Sequence, residues 1–457
     1  MERSWLTWTT AALTAALTPC LALAQAVASE TDARDGGSER VAPAWAASAS
    51  PLLLGDLLSL VAERNPQLQA TRAAAEAAET RVEEASALPD PTLQLGVMNF
   101  GLPEFNTDMP NSMAPSVQLM QMVPFPGKLS LKGDIAESAQ AMAHAGADEV
   151  WWEVRGRASA FFYELYSLDS RLEVMRETLA LLRDFQTVAK ALYSAGTGRQ
   201  ADVLRADVEV ARMDGEIQTM EAMRMAMAAR INGLVDRPAE TPVGSPALGG
   251  LPLEIPARDT LAMWAEETRP LLSRARLGVD QANSRVDLAQ KQIWPDFTFG
   301  VMYGQRDAGA GTQRMGSAVI GFSLPVHAGK RQLATRDEAR AMRRMADAEL
   351  GGVRAEVGAR VGELLAELDR ARSLVGLYRD EVLPEAHATV ESALSSYRVG
   401  AVDFLTLVDA QMTVNRYEGE LYQLLADYGE AVAALESAVG RTLPRTDRIL
   451  AEATEGR

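Results

Sequence analysis

The chain has 457 residues, 47% of them hydrophobic, and 62 acidic against 45 basic residues give it a formal net charge of −17. That balance excludes a nucleic-acid partner, whose phosphates call for Lys and Arg. The acidic excess reads either as the solvated faces of long helices or as a lumen that favours cations.

In chain order, residues 1–24 come first as an address: Arg3, an apolar run from Trp5 to Leu23, and an Ala22-Leu23-Ala24 ending. That pattern predicts a secretory signal peptide with mature protein from about Gln25. The only cysteine, Cys20, falls inside it, so the mature chain carries no disulfide and no thiol ligand. Leu17-Thr18-Pro19 fits poorly before an acylated cysteine. Residues 25–51 are rich in Ala, Ser, Thr and Gly without an apolar period and read as a flexible leader. Beyond it no stretch reaches the roughly 18 apolar residues of a membrane helix, so membrane entry requires a β-barrel.

A first structural repeat is expected over 52–240 and a second over 257–445, joined by a linker at 241–256 and followed by a tail at 446–457. The chain matches itself at an offset of about 204 residues. Asn65-Pro66 pairs with Arg269-Pro270, Pro89-Asp90 with Pro295-Asp296, Gly127-Lys128 with Gly329-Lys330, and the Tyr193 to Gly196 turn with Tyr397 to Gly400. No proline lies between Pro126 and Pro238, so the chain can run down one long helix and back along another. A helix of about 65 residues reaches about 100 Å, a length without use in a compact globule. Apolar steps of four and three mark coiled-coil packing: Leu421, Leu424, Tyr428, Ala431 and Leu435 in one copy, Ile217, Met220, Arg224, Met227 and Ile231 in the other.

Strands are predicted over 91–100, 116–124, 296–305 and 316–325. Each alternates between two unlike faces. Phe297, Phe299, Val301 and Tyr303 are large and apolar, whereas Thr298, Gly300, Met302 and Gly304 are small or flexible. Leu93, Leu95 and Val97, then Val117, Leu119 and Val123, repeat the pattern, as do Ala318, Ile320, Phe322 and Leu324. Such segments suit a membrane barrel, although hairpins packed on helices would alternate too. Four strands cannot close a barrel, and an open edge in lipid leaves backbone groups unsatisfied. If pooled between subunits, two copies give eight strands, which side chains fill, and three give twelve, which leave a channel. The fold class expected is mainly α with a small β part: long coiled-coil-like helical hairpins forming an α-barrel, plus four strands per chain in a trimeric 12-stranded β-barrel.

This order of elements, given twice, resembles the TolC-type outer-membrane efflux factors over essentially the whole mature chain. The segment from Tyr397-Arg-Val-Gly400 through Asp409-Ala-Gln411 looks like that family's second periplasmic tip, and Tyr193 to Leu204 like the first. The resemblance implies a homotrimer in outer-membrane lipid, continued by a helical tunnel in the periplasm. Its partners would be a periplasmic adaptor and an inner-membrane pump of the RND type. Carried over by position, Asp202, Tyr397 and Asp409 fall on gate positions, and Gly196, Thr197, Gly400 and Ala401 on the adaptor-docking tips. A tight reversal between helices gives the two glycines a physical reason of their own. The chain departs from the family's gate in carrying Val402, with Asp403 beside it, where an arginine would help lock the tunnel, and Thr406 in place of a further acid. The gate is then expected to be weaker, or wired differently through Arg199 or Arg205, and Asp202 and Asp409 also read as solvated helix-end acids.

Methionines gather at the first strand pair: Met98, Met109, Met113, Met120 and Met122. Met98, Met120 and Met122 have lumen parity, which suits either soft-metal ligation or flexible filling. Val123-Pro-Phe-Pro-Gly-Lys128 is similar to ducts paired with heavy-metal efflux pumps. His144, His327 and His387 are scattered, and no catalytic, phosphate-binding or cofactor motif is present. The function expected is the outer-membrane channel of a tripartite efflux system, passively conducting small solutes, metal ions among them. The alternative is a periplasmic helical-hairpin adaptor or scaffold, which would pair one hairpin with compact β domains.

Overall fold

A computed structural model describes residues 51–98, 102–103, 113–252, 254–307 and 311–444. The expected signal peptide with Cys20, the leader before residue 51, the 99–100 end of the first strand, Met109 and the tail at 446–457 lie outside the described residues.

Helices α1 (Leu54–Arg64) and α2 (Pro66–Ser86) lead into β1 (Thr92–Met98) and β2 (Met113–Val123), then into α3 (Lys128–Ser194) and α4 (Gln200–Leu234). The same order follows again: α5 (Arg258–Thr268), α6 (Pro270–Lys291), β3 (Phe297–Asp307), β4 (Thr312–Phe322) and α7 (Gln332–Leu377). A π turn (Tyr378–Val382), α8 (Leu383–Arg398) and α9 (Phe404–Val439) complete it. No described helix is long and apolar enough to cross a membrane.

Local chemistry sets the joints. Asn65 accepts a hydrogen bond from the Leu68 N–H, with Pro66 in the first turn, and its amide donates to Leu234 O at 2.9 Å, tying α2 to the end of α4. At the matching joint Arg269 offers no cap; its guanidinium binds Glu149 on α3 at 2.5 Å instead. Burial pushes the Glu149 carboxyl up, while Arg269 pulls it down. Gly127 turns the chain into α3 with φ of +83°, and a Cβ there would lie 2.1 Å from Lys291 Nζ. Pro384 forces the π turn, because it has no N–H to continue the ladder.

The 67-residue α3 reaches about 100 Å and packs along α4, α6 and α9. Leu424, Tyr428, Ala431 and Leu435 are buried on α9, as are Met213, Met220, Met227 and Ile231 on α4. Arg224 occupies one of these seam positions by pairing with Asp169 of α3 at 2.5 Å. Where α3 and α9 approach closely, the Tyr163 ring lies over Gly429, and a Cβ there would meet it at 2.5 Å. The linker folds back on the start of the unit: the Leu52 N–H donates to Ser245 O, and the Ala247 N–H to Leu52 O, both at 2.9 Å.

The strands form one antiparallel sheet in the order β1-β2-β3-β4, with β1 and β4 at its edges. The β2 strand begins at Met113 and β4 at Thr312, earlier than the alternation suggests, because pairing to Met98 and Asp307 carries both ladders outward. In the second copy the long helix starts at Gln332, after tight turns that include Gly329 and Lys330, rather than at those residues themselves.

Candidate functional site

Cross-strand partners sort the sheet into two faces. Leu95, Val117, Tyr303 and Gly316 lie side by side on one, and Leu93, Leu119, Val301 and Ala318 in the next row. This apolar face is uncovered, with Leu95 74% and Ile320 71% exposed. The other face carries Thr92, Gln94, Gln118, Ser317 and glycines, together with Met98, Met120, Met122, Met302 and Met315. Apolar outside and polar or small inside is the arrangement a membrane barrel requires. At the helix end of the sheet, Asp296 accepts from Lys128 Nζ and from the Phe125 N–H, both at 2.8 Å, and Phe125 stacks on Trp294. An aromatic pair at this level suits a membrane–water boundary.

Two tight reversals lie at the other end of the helices. After α3, Gly196 takes φ of +76°, and the Thr197 and Gly198 N–H groups both donate to Leu192 O. After α8, Gly400 takes φ of +73°, and the Ala401 N–H donates to Ser396 O. These positive φ values are open to glycine at little cost. The two tips differ in their second half. Asp403 caps α9, accepting from the Thr406 amide and hydroxyl at 3.0 and 2.7 Å, while Arg199 opens α4 with no side-chain cap. Those Thr406 bonds, and then the charges of Arg205 and Arg199, hold the Asp403 carboxyl below its ordinary value.

Of the three positions that the resemblance places at a gate, the structure brings two together. Asp202 and Tyr397 are both buried, 9% and 5% exposed, and burial and the Asp202 charge push the Tyr397 hydroxyl up. Tyr397 also meets Phe404 edge to face at 5.6 Å. Asp409 is exposed on α9, and among the described residues it takes part in no ion pair. Asp403 lies within electrostatic reach of Arg205 and Arg199. Position matching alone does not single out Asp403 and Phe404; an N-cap acid directly before an apolar run is the sequence signal that does. A cleft of about 360 Å³ beside them is lined by Leu204, Val208, Leu405 and Val408.

Further along α9, toward the sheet, burial raises the Glu430 carboxyl to about 7, with the charges of Asp427 and Glu164 adding to it. Among the described residues no group of three His, Cys, Asp or Glu side chains is placed to hold a metal ion.

Two uncapped sheet edges, a lipid-suited face and a pair of very long helical hairpins define a membrane-barrel duct with a helical extension. The profile of the outer membrane efflux protein family matches residues 57–232 and 262–441, and the chain belongs to that family. It is therefore the outer-membrane channel component of a tripartite efflux system, with its helices in the periplasm, and it is not an enzyme. The family assignment also decides against the adaptor or scaffold alternative.

Among relatives, the cobalt-zinc-cadmium resistance protein CzcC of Cupriavidus metallidurans is 23% identical over 430 residues, covering 93% of this chain and 97% of its own. Nodulation protein T of Rhizobium leguminosarum bv. trifolii is 23% identical over 428 residues, covering 90% of each. The crystal structure of the outer membrane protein VceC from Vibrio cholerae superposes with a TM-score of 0.73 at 17% identity, covering 85% of this chain and 96% of that one. That likeness concerns the fold.

Proposed function

We propose that three copies of the chain pool their strands into a 12-stranded barrel and their hairpins into a tunnel that conducts metal ions out of the cell. The carrying observation is the open sheet: β1 and β4 have unpaired edges beside an uncovered apolar face, which lipid cannot tolerate without closure. Residues 1–24 act as the export signal. The tips at Gly196, Thr197, Gly400 and Ala401 dock a periplasmic adaptor, which links the duct to an inner-membrane pump of the RND type. Asp202, Tyr397 and Asp409 form the gate. The metal reading draws support from the similarity to CzcC, whose name records resistance to cobalt, zinc and cadmium, and from Met98, Met120 and Met122 on the polar face of the sheet.

The mass of the detergent-solubilised particle tests the assembly. Three chains per particle, with migration on gels that changes on boiling, is the expected result; a monomer soluble without detergent would end the proposal. Single-channel recordings of Asp202→Ala and Asp409→Ala test the gate, and unchanged conductance and ion preference in both would remove those residues from it. For the cargo, a deletion strain should lose growth in otherwise tolerated metal salts, and normal growth in all of them would refute a metal substrate.

A further inference from the structure

The two hairpins of the sheet keep the same register. Leu93 faces Leu119 and Leu95 faces Val117 in the first; Phe299 faces Ile320 and Val301 faces Ala318 in the second. Leu95 thus corresponds to Val301, Val97 to Tyr303, Val117 to Ala318 and Leu119 to Ile320. Between the hairpins lies one seam inside the chain, β2 against β3, where Leu119 faces Val301 and Val117 faces Tyr303. Asp296 and Lys128 clamp that seam at its helix end.

The free edges carry the same parts. Asp90 stands before β1 as Asp296 stands before β3, and Lys330 follows Gly329 as Lys128 follows Gly127. The turns close alike, the Lys128 N–H on Phe125 O and the Lys330 N–H on His327 O, each at 3.0 Å. From Ile320 to Lys330 the chain is one residue longer than from Leu119 to Lys128, a difference within the compass of a flexible lysine stem. Asp90 and Lys330 are both exposed, and among the described residues neither takes part in an ion pair.

We propose that the seam between subunits repeats the β2–β3 seam. Ile320 faces Leu95 of the partner subunit, Ala318 faces Val97 of the partner subunit, and Lys330 clamps Asp90 of the partner subunit at the periplasmic rim. This rests on the trimeric reading and fixes its contact residues. It keeps Leu93, Leu95 and Val97 of one edge strand and Ala318, Ile320 and Phe322 of the other on the lipid side, whereas a slip of one residue would turn the edge strand inside out.

Cysteines at opposed positions test the register, since directly facing side chains have Cβ atoms about 4.5–5.5 Å apart and diagonal ones about 7–8 Å. In a chain with Cys20 replaced, Ile320→Cys is combined in turn with Leu93→Cys, Leu95→Cys and Val97→Cys, and mild oxidation is followed by boiling and electrophoresis. The Leu95→Cys pair should give the most covalent trimer. A native trimer that crosslinks best through Leu93→Cys or Val97→Cys overturns the register alone, whereas a monomeric particle overturns the trimer itself. For the clamp, Asp90→Lys should lower the temperature at which the assembly dissociates, and adding Lys330→Asp should restore it; no loss, or no restoration, removes the ion pair.

Discussion

The two helical hairpins of this chain descend from one plan yet differ in stiffness. In the first, α3 runs for 67 residues without a break. In the second, α7 ends after 46 residues at the π turn, where the Leu383 N–H reaches back to Tyr378 O before α8 continues. Pro384 causes the difference; the first copy has Ala180 at the matching distance from its tip glycine. A clasp spans the bend, since the Tyr378 hydroxyl donates to Glu420 on α9 at 2.5 Å and its ring meets Tyr417 edge to face. The duct is thus built from one rigid strut and one jointed strut, and the jointed one carries Tyr397 and Asp409 at its end.

The largest effect should come from giving the rigid strut the same break. Ala180→Pro removes a helix hydrogen bond and pushes against the preceding turn, at a cost of about 3 kcal/mol or more. The assembly should dissociate at a clearly lower temperature; equal heat resistance would mean that α3 is no stiffer than its counterpart. Tyr378→Phe deletes one charge-assisted bond, worth about 1.5–3 kcal/mol in a buried setting and less at this part-exposed site. Single channels of that variant should open more often, and unchanged gating would show the clasp to be idle. Pro384→Ala should alter stability by about 1 kcal/mol or less, because the π turn already accommodates the ring and the change acts mainly through the unfolded chain, yet it restores a regular helix and should reduce openings. Similar openings with and without the proline would separate the bend from gating.

Much of this asymmetry was legible in the sequence. The absence of proline between Pro126 and Pro238 announced the unbroken helix, and the four-three apolar steps picked side chains on α4 and α9 that are buried. Alternation in Phe297–Tyr303 and its relatives placed the apolar side chains on one face, because period two is a local property. What local pattern could not supply was pairing at a distance. Nothing near Arg224 tells that Asp169 neutralises it, and nothing near Met113 tells that Gly304 leaves space for its side chain. The tip is intermediate: the glycines declare the reversals, but the approach of Asp202 to Tyr397 depends on how two hairpins lie together.

The smallest effect predicted is also the most specific to one strut. Glu430 stands on α9 where the first copy has Ala226, so only the second hairpin places a carboxyl in that position. It shares a cleft with Glu153, Arg157, Glu367, Arg370 and Asp427, contributed by α3, α7 and α9. Burial, Asp427 and Glu164 lift its carboxyl from 4.5 to about 7, so the folded chain binds this proton more tightly than the unfolded one. The contribution to stability is therefore present below about pH 4.5 and declines as pH rises to about 7. The melting temperature of the assembly should fall over that window, and Glu430→Gln should flatten the decline without changing stability at low pH, where both side chains are neutral. If the variant keeps the full slope, the pH sensitivity belongs to other groups, and the two hairpins differ in their joint but not in their response to acid.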